Sequence, residues 1–420
     1  MTEHMEAPTG ALQVQGLGGR EHAASNQQSA PASVAGVLLD DPNITQKFAS
    51  DEERFESFGR AIDKIRKEAE ASMGESDLKH VKRLRYLSRG LEVVGRAAIH
   101  FSFEPIGFGA GVIALWLHKQ LEATEIGHTA LHGAYDKLPG VGRFHSSRFR
   151  WKTPIDEESW RYGHNVRHHG ATNVAGHDAD IHFGPVRLTR DTPWRPAHRF
   201  QLAYALLGLF PNFGFVMNMH FTGLADLYEG NGRGGMDFLA DKSPKTVAKA
   251  HWKAVRKYAP YYAYEYVLWP ILAGPFWWKV LLGNYLSEVL RDLYSAATIF
   301  CGHVGEEAAS FPEGTKAKKR CRWYAMQAAA TYNFRVDRVR SVLCGGLDLQ
   351  IEHHLFNKLP PHRLREIAPR VEQACREHGV PYRSESWGRT LLGALAHIQA
   401  LSKPDPEPQA AEATGQAVAA

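Results

Sequence analysis

Cysteine is scarce in this 420-residue chain, and its arrangement excludes one common kind of metal site. The four cysteines form no CxxC pair and no spacing typical of a zinc finger. Scattered cysteines of this kind are usually inert core thiols in a reducing compartment, and that is the interpretation we adopt. They are Cys301, Cys321, Cys344 and Cys375.

The chain also lacks a strong excess of charge and a leader-like N-terminus. Its 50 Lys and Arg against 45 Asp and Glu give a net charge of +5 without an unbroken basic run, so nucleic-acid binding has no support. No basic stretch followed by an apolar one opens the chain, so we expect no cleaved signal peptide. A charged fraction of 23% and a mean hydropathy of −0.35 are those of an average soluble protein.

Composition divides the chain into one body and two tails. Residues 1–45 are rich in Gly, Ala, Ser and Gln and poor in large apolar residues, which predicts a disordered tail. Residues 403–420 predict a second disordered tail. Residues 46–402 show no internal repeat, and we expect them to form a single body.

Apolar runs long enough to cross a membrane are few. A spanning helix needs about 17–25 residues, and only one run reaches that length without a charge. Within a longer run near the C-terminal half, Gly283-Asn284 is predicted to turn the chain. The predicted apolar helices are Leu91–Phe103, Ile106–Leu121, the uncharged Phe200–Ala225, Tyr261–Gly283 and Tyr285–His303.

Charged and small residues inside these runs need a separate interpretation. Glu288, Arg291 and Asp292 lie in the last run, and charge in lipid is costly unless it pairs or faces the interior. Their presence accounts for the low mean hydropathy. The motif Gly107-Phe-Gly-Ala-Gly111 lies inside an apolar helix and not after a strand, so the context of a nucleotide-binding loop is missing. Close packing of small residues between helices explains it better.

The number of membrane crossings between the histidine clusters constrains the topology, because an even number is needed to keep them on one side. If the histidine-bearing segments after residues 121 and 303 build one site, they lie on one side of the membrane, so one of the three later runs does not span. We predict that Phe200–Ala225 is re-entrant or interfacial, because Pro211-Asn212 splits it. The positive-inside rule agrees, since residues 136–199 hold 11 Lys and Arg and the inferred outer turns hold none. Both termini and all histidine clusters are then predicted to be cytoplasmic, at the inner membrane if the source is bacterial.

Histidine is the residue type in excess, with 22 in the chain. The first cluster is His128-Thr-Ala-Leu-His132, whose i, i+4 spacing puts both imidazoles on one helical face. The second is His164-Asn-Val-Arg-His168-His169. There His164 and His168 share a face, and His169 points about 100° further round an α-helix. One short helix could therefore address two metals.

The third cluster is Gln350-Ile-Glu-His353-His354, and His303 ends the last apolar helix. Imidazole suits iron, copper and zinc alike, so ligand type alone does not name the metal. Within the bounds of the three clusters, the Glu-x-x-His pattern of soluble di-iron bundles does not occur. Ligating histidines need acidic or polar partners, and the candidates are Glu125, Asp178, Asp180, Glu306 and Glu352.

Other histidines receive a structural interpretation. His177 and His182 have no partner at metal-ligand spacing and are predicted to support the site or to lie on the surface. His362 is predicted to have a helix-start or surface role. No metal role is predicted for His198, His220 and His251.

The segments HTALHG, WRYGHNVRHHGATN and LDLQIEHHLFNKLP resemble the three histidine boxes of membrane fatty acid desaturases, over residues 128–360. The resemblance implies an all-α integral membrane fold, with four transmembrane helices under a cytosolic helical cap that holds two irons. It also implies oxygen-dependent insertion of a cis double bond into a fatty acyl chain. By position, the implied ligands are His128, His132, His164, His168, His169, His353 and His354, with His303 as an extra ligand and Gln350 as a direct, water-mediated or supporting one.

One departure from the family and two alternative functions remain. The chain has no HPGG haem motif of a fused cytochrome b5 domain, which implies a separate electron donor such as ferredoxin or cytochrome b5. The carrier, acyl-CoA or acyl-lipid, stays open. A related di-iron hydroxylase or ketolase acting on a lipid, carotenoid or alkane shares the boxes. A membrane metal transporter is the alternative of another class, but it would need ligands at mid-membrane.

Overall fold

A computed structural model describes residues 34–183, 186–227, 237–305 and 308–405, and these residues are mostly helical. The α-helices are α1 Pro42–Thr45, α2 Asp51–Ala71, α3 Glu75–Phe101, α4 Pro105–Leu121, α5 Thr129–Leu131, α6 Glu157–Trp160, α7 Gln201–Tyr204, α8 Phe213–Thr222, α9 Pro244–Ala263, α10 Trp269–Leu272, α11 Trp277–His303, α12 Arg320–Ala330, α13 Arg338–Cys344, α14 Gln350–Leu355, α15 Pro361–His378 and α16 Trp387–Ala400. Wider π-helical segments are Glu122–His128, Arg161–His168, Ala205–Leu209 and Tyr264–Leu268.

The mostly helical structure is consistent with the all-α prediction, although a few short strands are also present. The described residues include two short sheets, an antiparallel pair β1 His182–Phe183 with β2 Val186–Arg187 and a parallel pair β3 Asn333–Arg335 with β4 Ser384–Ser386. The second sheet positions α14, because the Asn333 side chain accepts a hydrogen bond from Ile351 N at 2.9 Å and donates one to Glu352 at 2.8 Å. Such short strands carry too few residues for a period-2 pattern to be visible.

The predicted tails are partly described. Leu39 N donates to Gly379 O at 2.8 Å, and α1 begins at Pro42, so ordered chain precedes the predicted boundary at residue 46. At the other end, Asp405 forms an ion pair with Arg187 at 2.6 Å. The rest of both predicted tails, residues 1–33 and 406–420, lies outside the described residues.

Helices α3 and α4 form a tight hairpin. Glu104 caps α4 by accepting hydrogen bonds from Ile106 N and Gly107 N at 2.7 and 2.6 Å. Gly95 and Gly111 face each other across the pair: a Cβ on Gly95 would lie 3.0 Å from Gly111 O. The glycines therefore allow a close backbone approach, which agrees with the small-residue packing predicted for this helix.

The predicted turn at Gly283-Asn284 is wrong. Helix α11 runs without interruption from Trp277 to His303, and the chain turns earlier, at Gly274, whose φ is +53°. Tertiary contacts hold the two residues inside the helix. Gly283 lies against the Ile99 side chain, where a Cβ would come within 2.8 Å, and the Asn284 amide donates to Glu265 O at 2.5 Å.

Buried charges connect α3, α4, α11 and the Tyr264–Leu268 segment. Lys119 is 3.0 Å from Glu265 and 2.8 Å from Glu288, and Arg291 is 2.7 Å from Glu288 and 2.6 Å from Asp292. The charges of the last apolar run are therefore paired in the interior. The ion network comprises Glu92, Arg96, Lys119, Glu265, Glu288, Arg291 and Asp292, all at most 8% exposed.

The uncharged run near residue 200 is irregular. Pro196–Thr222 is the one helix among the described residues that is long and apolar enough to cross a membrane by length and composition. Its axis is interrupted at Asn212, with φ −123° and ψ 28°, after π and 3₁₀ turns. Pro211 removes a backbone donor at this point, as the predicted split requires.

Candidate metal centre

The first histidine cluster stands at the end of α4, where the helix widens. The π-helical segment Glu122–His128 leaves carbonyl oxygens that α-helical bonds would otherwise use. The Trp151 indole N–H donates to Glu122 O and Ala123 O, each at 3.1 Å. Gly127 makes this possible, because a Cβ there would lie 2.1 Å from the indole nitrogen. The turn brings the Nε2 atoms of His128 and His132 to 3.2 Å.

The second cluster differs from the α-helix that its spacing predicts. Arg161–His168 is π-helical, so residues five apart lie one above the other. The Nε2 atoms of His164 and His169 are therefore 3.2 Å apart, whereas an α-helix would turn His169 away. The His164 and His168 rings are stacked with centroids 5.0 Å apart.

The third cluster meets the first two from the opposite side. His353 and His354 lie on the short helix α14 and are 4% and 1% exposed. Helix α11 ends at His303, whose Nε2 is in hydrogen-bond contact with the Gln350 amide nitrogen. Gly302 leaves room for that contact, because a Cβ there would lie 2.7 Å from Gln350 Cγ.

The predicted histidines come together as two adjoining groups that could each hold a metal ion, and a third possible set, His164, His168 and Asp180, takes one histidine from each. Within each group the possible ligand atoms all lie within 4.8 Å of one another. His169 lies between them, 3.2 Å from His164 and stacked on His354 with centroids 4.2 Å apart. The first group is His128, His132, His164 and His353; the second is His168, His303 and His354.

Polar groups hold the outward ring nitrogens. His164 Nδ1 and His168 Nδ1 each lie 3.0 Å from a carboxylate oxygen, of Asp180 and Asp178 respectively. His354 Nδ1 lies 2.9 Å from the Gln327 side-chain oxygen. Such partners fix the tautomer and leave Nε2 facing the centre, as in histidines that bind metals.

Ring nitrogens without a partner test whether the residues fit a metal. Nε2 of His168, His353 and His354 and Nδ1 of His132, His169 and His303 are buried without a hydrogen-bond partner among the described residues. The Gln350 side-chain oxygen is also buried without a hydrogen-bond partner among the described residues. A buried polar atom without a partner costs free energy, and several of them converging on one centre is the arrangement that a metal ion would satisfy.

Burial also controls protonation at the centre. It lowers the pKa of His164, His169, His353 and His354 well below the ordinary value, which keeps the imidazoles neutral and able to donate a lone pair. Burial acts in the same direction on His168, but Asp178 and Asp180 outweigh it and raise the pKa of His168 to about 9. A bound cation would displace that proton.

The acidic residues predicted to support the histidines make different contacts in the structure. Asp178 and Asp180 contact histidines as described above. Glu125 instead pairs with Arg365 at 3.0 Å, and Glu352 accepts hydrogen bonds from Asn333 and Tyr382. Glu306 lies outside the described residues.

The histidines without a predicted metal role lie outside the two groups. His177 Nδ1 is 3.4 Å from Ala175 O, and His182 Nδ1 is 2.9 Å from the Thr192 hydroxyl. His362, the second residue of α15, lies 2.7 Å from Asp77.

Sequence reasoning missed two residues of the centre. The Gln327 side chain reaches His354 from α12, and the Trp160 ring stacks on His164 with centroids 4.6 Å apart. Trp160 lies four residues before His164, so helical spacing alone could have indicated it. Gln327 comes from a helix more than 20 residues away in sequence, and no local pattern points to it.

An apolar cavity of about 100 Å³ opens onto the histidines. It passes between α8 and α11, and its wall is largely aromatic and aliphatic. A small number of polar groups at the end of an apolar pocket is typical of sites for apolar small molecules. Its lining includes His128, His164, His168, His303 and Gln350 together with Trp151, Trp160, Phe213, Met217, Phe221, Ile299 and Phe300.

This combination defines a class of protein, in which a histidine-rich centre suited to a metal acts on an apolar substrate. Comparison with known families gives the particular one. The family model described as "Fatty acid desaturase" matches residues 105–386, more than half of the chain. The chain belongs to the fatty acid desaturase family, which confirms the prediction made from its histidine boxes.

Relatives agree with this assignment. The NADPH-dependent stearoyl-CoA 9-desaturase of Mycobacterium tuberculosis is 30% identical over 351 residues, which cover 83% of this chain and 80% of the relative. The sn-1 linoleoyl-lipid 6-desaturase of Synechocystis is 26% identical, over 67% of this chain and 77% of the relative. The enzyme of the same description from Arthrospira platensis is 25% identical, over 69% and 73%. The chain is thus a fatty acid desaturase, an oxidoreductase of lipid metabolism.

Proposed function

We propose that this desaturase inserts a cis double bond into a fatty acyl chain at a centre of two iron ions, with dioxygen as the oxidant. The observation that carries the proposal is the apolar cavity that opens onto two adjoining groups of histidines. The two groups account for a dinuclear centre, and the cavity accounts for a substrate without polar groups near the reacting carbons.

The residues have distinct roles in this proposal. His128, His132, His164 and His353 hold one iron, and His168, His303 and His354 hold the other. His169 lies between the groups and completes the coordination, while Gln350 supports His303 or binds iron itself. When bound, the irons supply the capacity to activate dioxygen and to remove two neighbouring hydrogens from an unactivated chain.

In this proposal the protein orients the metal ligands and the substrate, and it keeps water out of the site. Asp178, Asp180 and Gln327 orient the histidines through hydrogen bonds of 2.9–3.0 Å. Trp151 and Trp160 line the cavity beside them and exclude water, so that a reactive oxidant meets the substrate and not solvent. The cavity fixes which methylene approaches the centre, so regioselectivity follows from geometry.

Four membrane-spanning segments fit this arrangement: α3, α4, α9 continued through α10, and α11. Large apolar side chains along them are exposed, including Val93 at 69%, Ile106 at 84%, Ile271 at 68% and Trp278 at 55%. A lipid environment would cover such side chains. The buried ion network explains why these helices escape a search by hydropathy, since its charges lower the average without facing lipid.

The remaining apolar run, Pro196–Thr222, is proposed to enter the membrane without crossing it. Its break at Asn212 and the burial of Phe213 and Met217 against the cavity support this. The histidine centre and both termini then lie on the cytoplasmic side. A separate ferredoxin or cytochrome b5 would bring electrons, and acyl-CoA or acyl-lipid would bring the substrate.

Expression of the full chain in a bacterial host tests the proposal, with gas chromatography of the host's fatty acids as the readout. We expect a new cis-monounsaturated acid with the wild-type chain and none with His354→Ala. A hydroxylated product would identify a hydroxylase, and an unchanged profile with bound metal would favour metal binding or transport. Either result would overturn the proposal.

A further inference from the structure

Along α11, the residues that line the cavity extend from the histidines to charged residues. On α11 its wall runs from His303 through Phe300 and Ser295 to Asp292 and Arg291. Twelve residues separate the two ends of this wall, which corresponds to about 18 Å along an α-helix. We call this Arg291–Asp292 pair the floor of the cavity, because paired charges form a boundary that an apolar chain does not cross easily.

Hydrogen bonds from several neighbouring residues fix the positions of Arg291 and Asp292. Asp292 accepts hydrogen bonds from Arg291 at 2.6 Å and from Gly214 N at 3.2 Å. Arg291 also donates to Glu288 at 2.7 Å and to Tyr261 at 3.1 Å. Moving either partner would leave a buried charge uncompensated, so the pair does not yield readily to an apolar chain.

Helix α8 closes the floor from the other side. A Cβ on Gly214 would lie 2.8 Å from an Arg291 guanidinium nitrogen and 3.3 Å from an Asp292 oxygen. The backbone of α8 therefore rests directly on the ion pair. Beyond this point the wall continues into the buried ion network, where an alkyl chain would have to displace paired charges.

We infer that the Arg291–Asp292 pair is the stop for the methyl end of the substrate and limits how many carbons lie beyond the new double bond. The inference rests on the proposed function. A large polar carrier group cannot enter an apolar channel that leads to paired buried charges, so the methyl end must enter first. An extended chain advances roughly 1.2 Å per bond, and the wall from His303 to Ser295 or Arg291 spans about 12–18 Å.

Ser295 offers the means of testing the limit. It lies on the cavity wall one turn above Asp292 and is 8% exposed. Ser295→Leu would fill the lower end of the channel, and Ser295→Ala is the matched control without added bulk. The full-length variants are given a series of saturated acyl substrates of increasing length, and mass spectrometry locates the double bond in each product.

For the wild type we expect conversion to fall steeply once the carbons on the methyl side exceed a fixed number. Ser295→Leu should lower that number by roughly four, since three residues of α11 correspond to about 4.5 Å, and Ser295→Ala should leave it unchanged. An identical limit in active Ser295→Leu and Ser295→Ala would overturn the inference. If Ser295→Leu fails to accumulate, the wild-type series decides, and equal conversion at every length overturns it. Absence of any desaturated product from the wild type would instead overturn the proposed function.

Discussion

His353 and His354 are neighbours in sequence, yet their rings face different groups of histidines. The His353 ring lies 4.9 Å from that of His128, and the His354 ring lies 4.7 Å from that of His303. We expect His353→Ala and His354→Ala each to abolish desaturation and to lower bound iron, by loss of one group in each variant. Iron analysis and product assay in the same membranes check this. His251→Ala is the control, because His251 is exposed and contacts only Val247 O in the described chain. Wild-type activity in either test variant would remove that residue from the ligand set.

His303 and His182 can be ranked by their surroundings. His303 lies at the end of α11 with its ring 4.6 Å from that of His168, whereas His182 Nδ1 contacts the Thr192 hydroxyl. Loss of a supporting group usually costs 10–100-fold in metal affinity or activity, and loss of a ligand should cost more. We therefore expect His303→Ala to be nearly inactive and His182→Ala to keep a sizeable fraction of activity. The reverse order would move the extra ligand into the loop around His182.

Asp178 is expected to position His168 through its carboxylate. It is fully buried and also accepts hydrogen bonds from Asn173 N at 2.7 Å and Asp180 N at 2.8 Å. Asp178→Asn keeps the size but weakens the hold on His168, so iron affinity should fall by roughly 10–100-fold. Competition with a chelator measures it. Asp136→Asn, whose acceptor bonds go to Ser146, is the control, and equal affinities in the two variants would contradict the role.

At this scale the histidines that meet were all named from the sequence, those of the three clusters by their local spacing and His303 by its resemblance to the extra histidine of the family. The sequence could not predict which group each ring joins. That depends on the π-helical turn that brings His169 back over His164, whereas spacing was interpreted with α-helical geometry. Gln327 was missed because its contact with His354 is set by the tertiary packing of α12.

Among the elements, the widened end of α4 depends on one glycine. Gly127→Ala would place a methyl group 2.1 Å from the Trp151 indole nitrogen, and overpacking of this kind costs roughly 1–3 kcal/mol. We expect a lower thermal stability in detergent and less bound iron, because the same turn carries His128. Gly109→Ala, in the preceding helix α4, is the control, since a Cβ there has no neighbouring atom within 4 Å. Equal melting temperatures for the two variants would show that the indole contact is dispensable.

The wrong turn at Gly283-Asn284 has a physical reason at the same scale. Gly-Asn is a pair typical of turns, but here the missing Cβ is used to admit Ile99 and the amide is used to bind Glu265 O. The turn falls instead at Gly274-Pro275, where a positive φ and a proline coincide. Local propensity gave way to packing within the helical bundle.

For the whole molecule, the amino-acid composition gives little indication of how the chain is arranged in the membrane. Charges such as Lys119 and Glu288 are paired inside the bundle, so average hydropathy understates how much of the surface is apolar. We expect a reporter inserted at Ser147, in the exposed loop after the first histidines, to be cytoplasmic and one at Gly274 to be on the outer side. Both reporters on the same side would contradict the proposed four spans.

The iron content of the purified full-length chain tests the central claim most directly. The two groups of histidines predict two iron ions per chain in the wild type, with about one lost in His354→Ala while the protein remains in the membrane. Mass-spectrometric metal analysis against protein concentration gives the ratio. One metal ion per chain, a metal other than iron in active enzyme, or an unchanged ratio in His354→Ala would contradict the dinuclear centre.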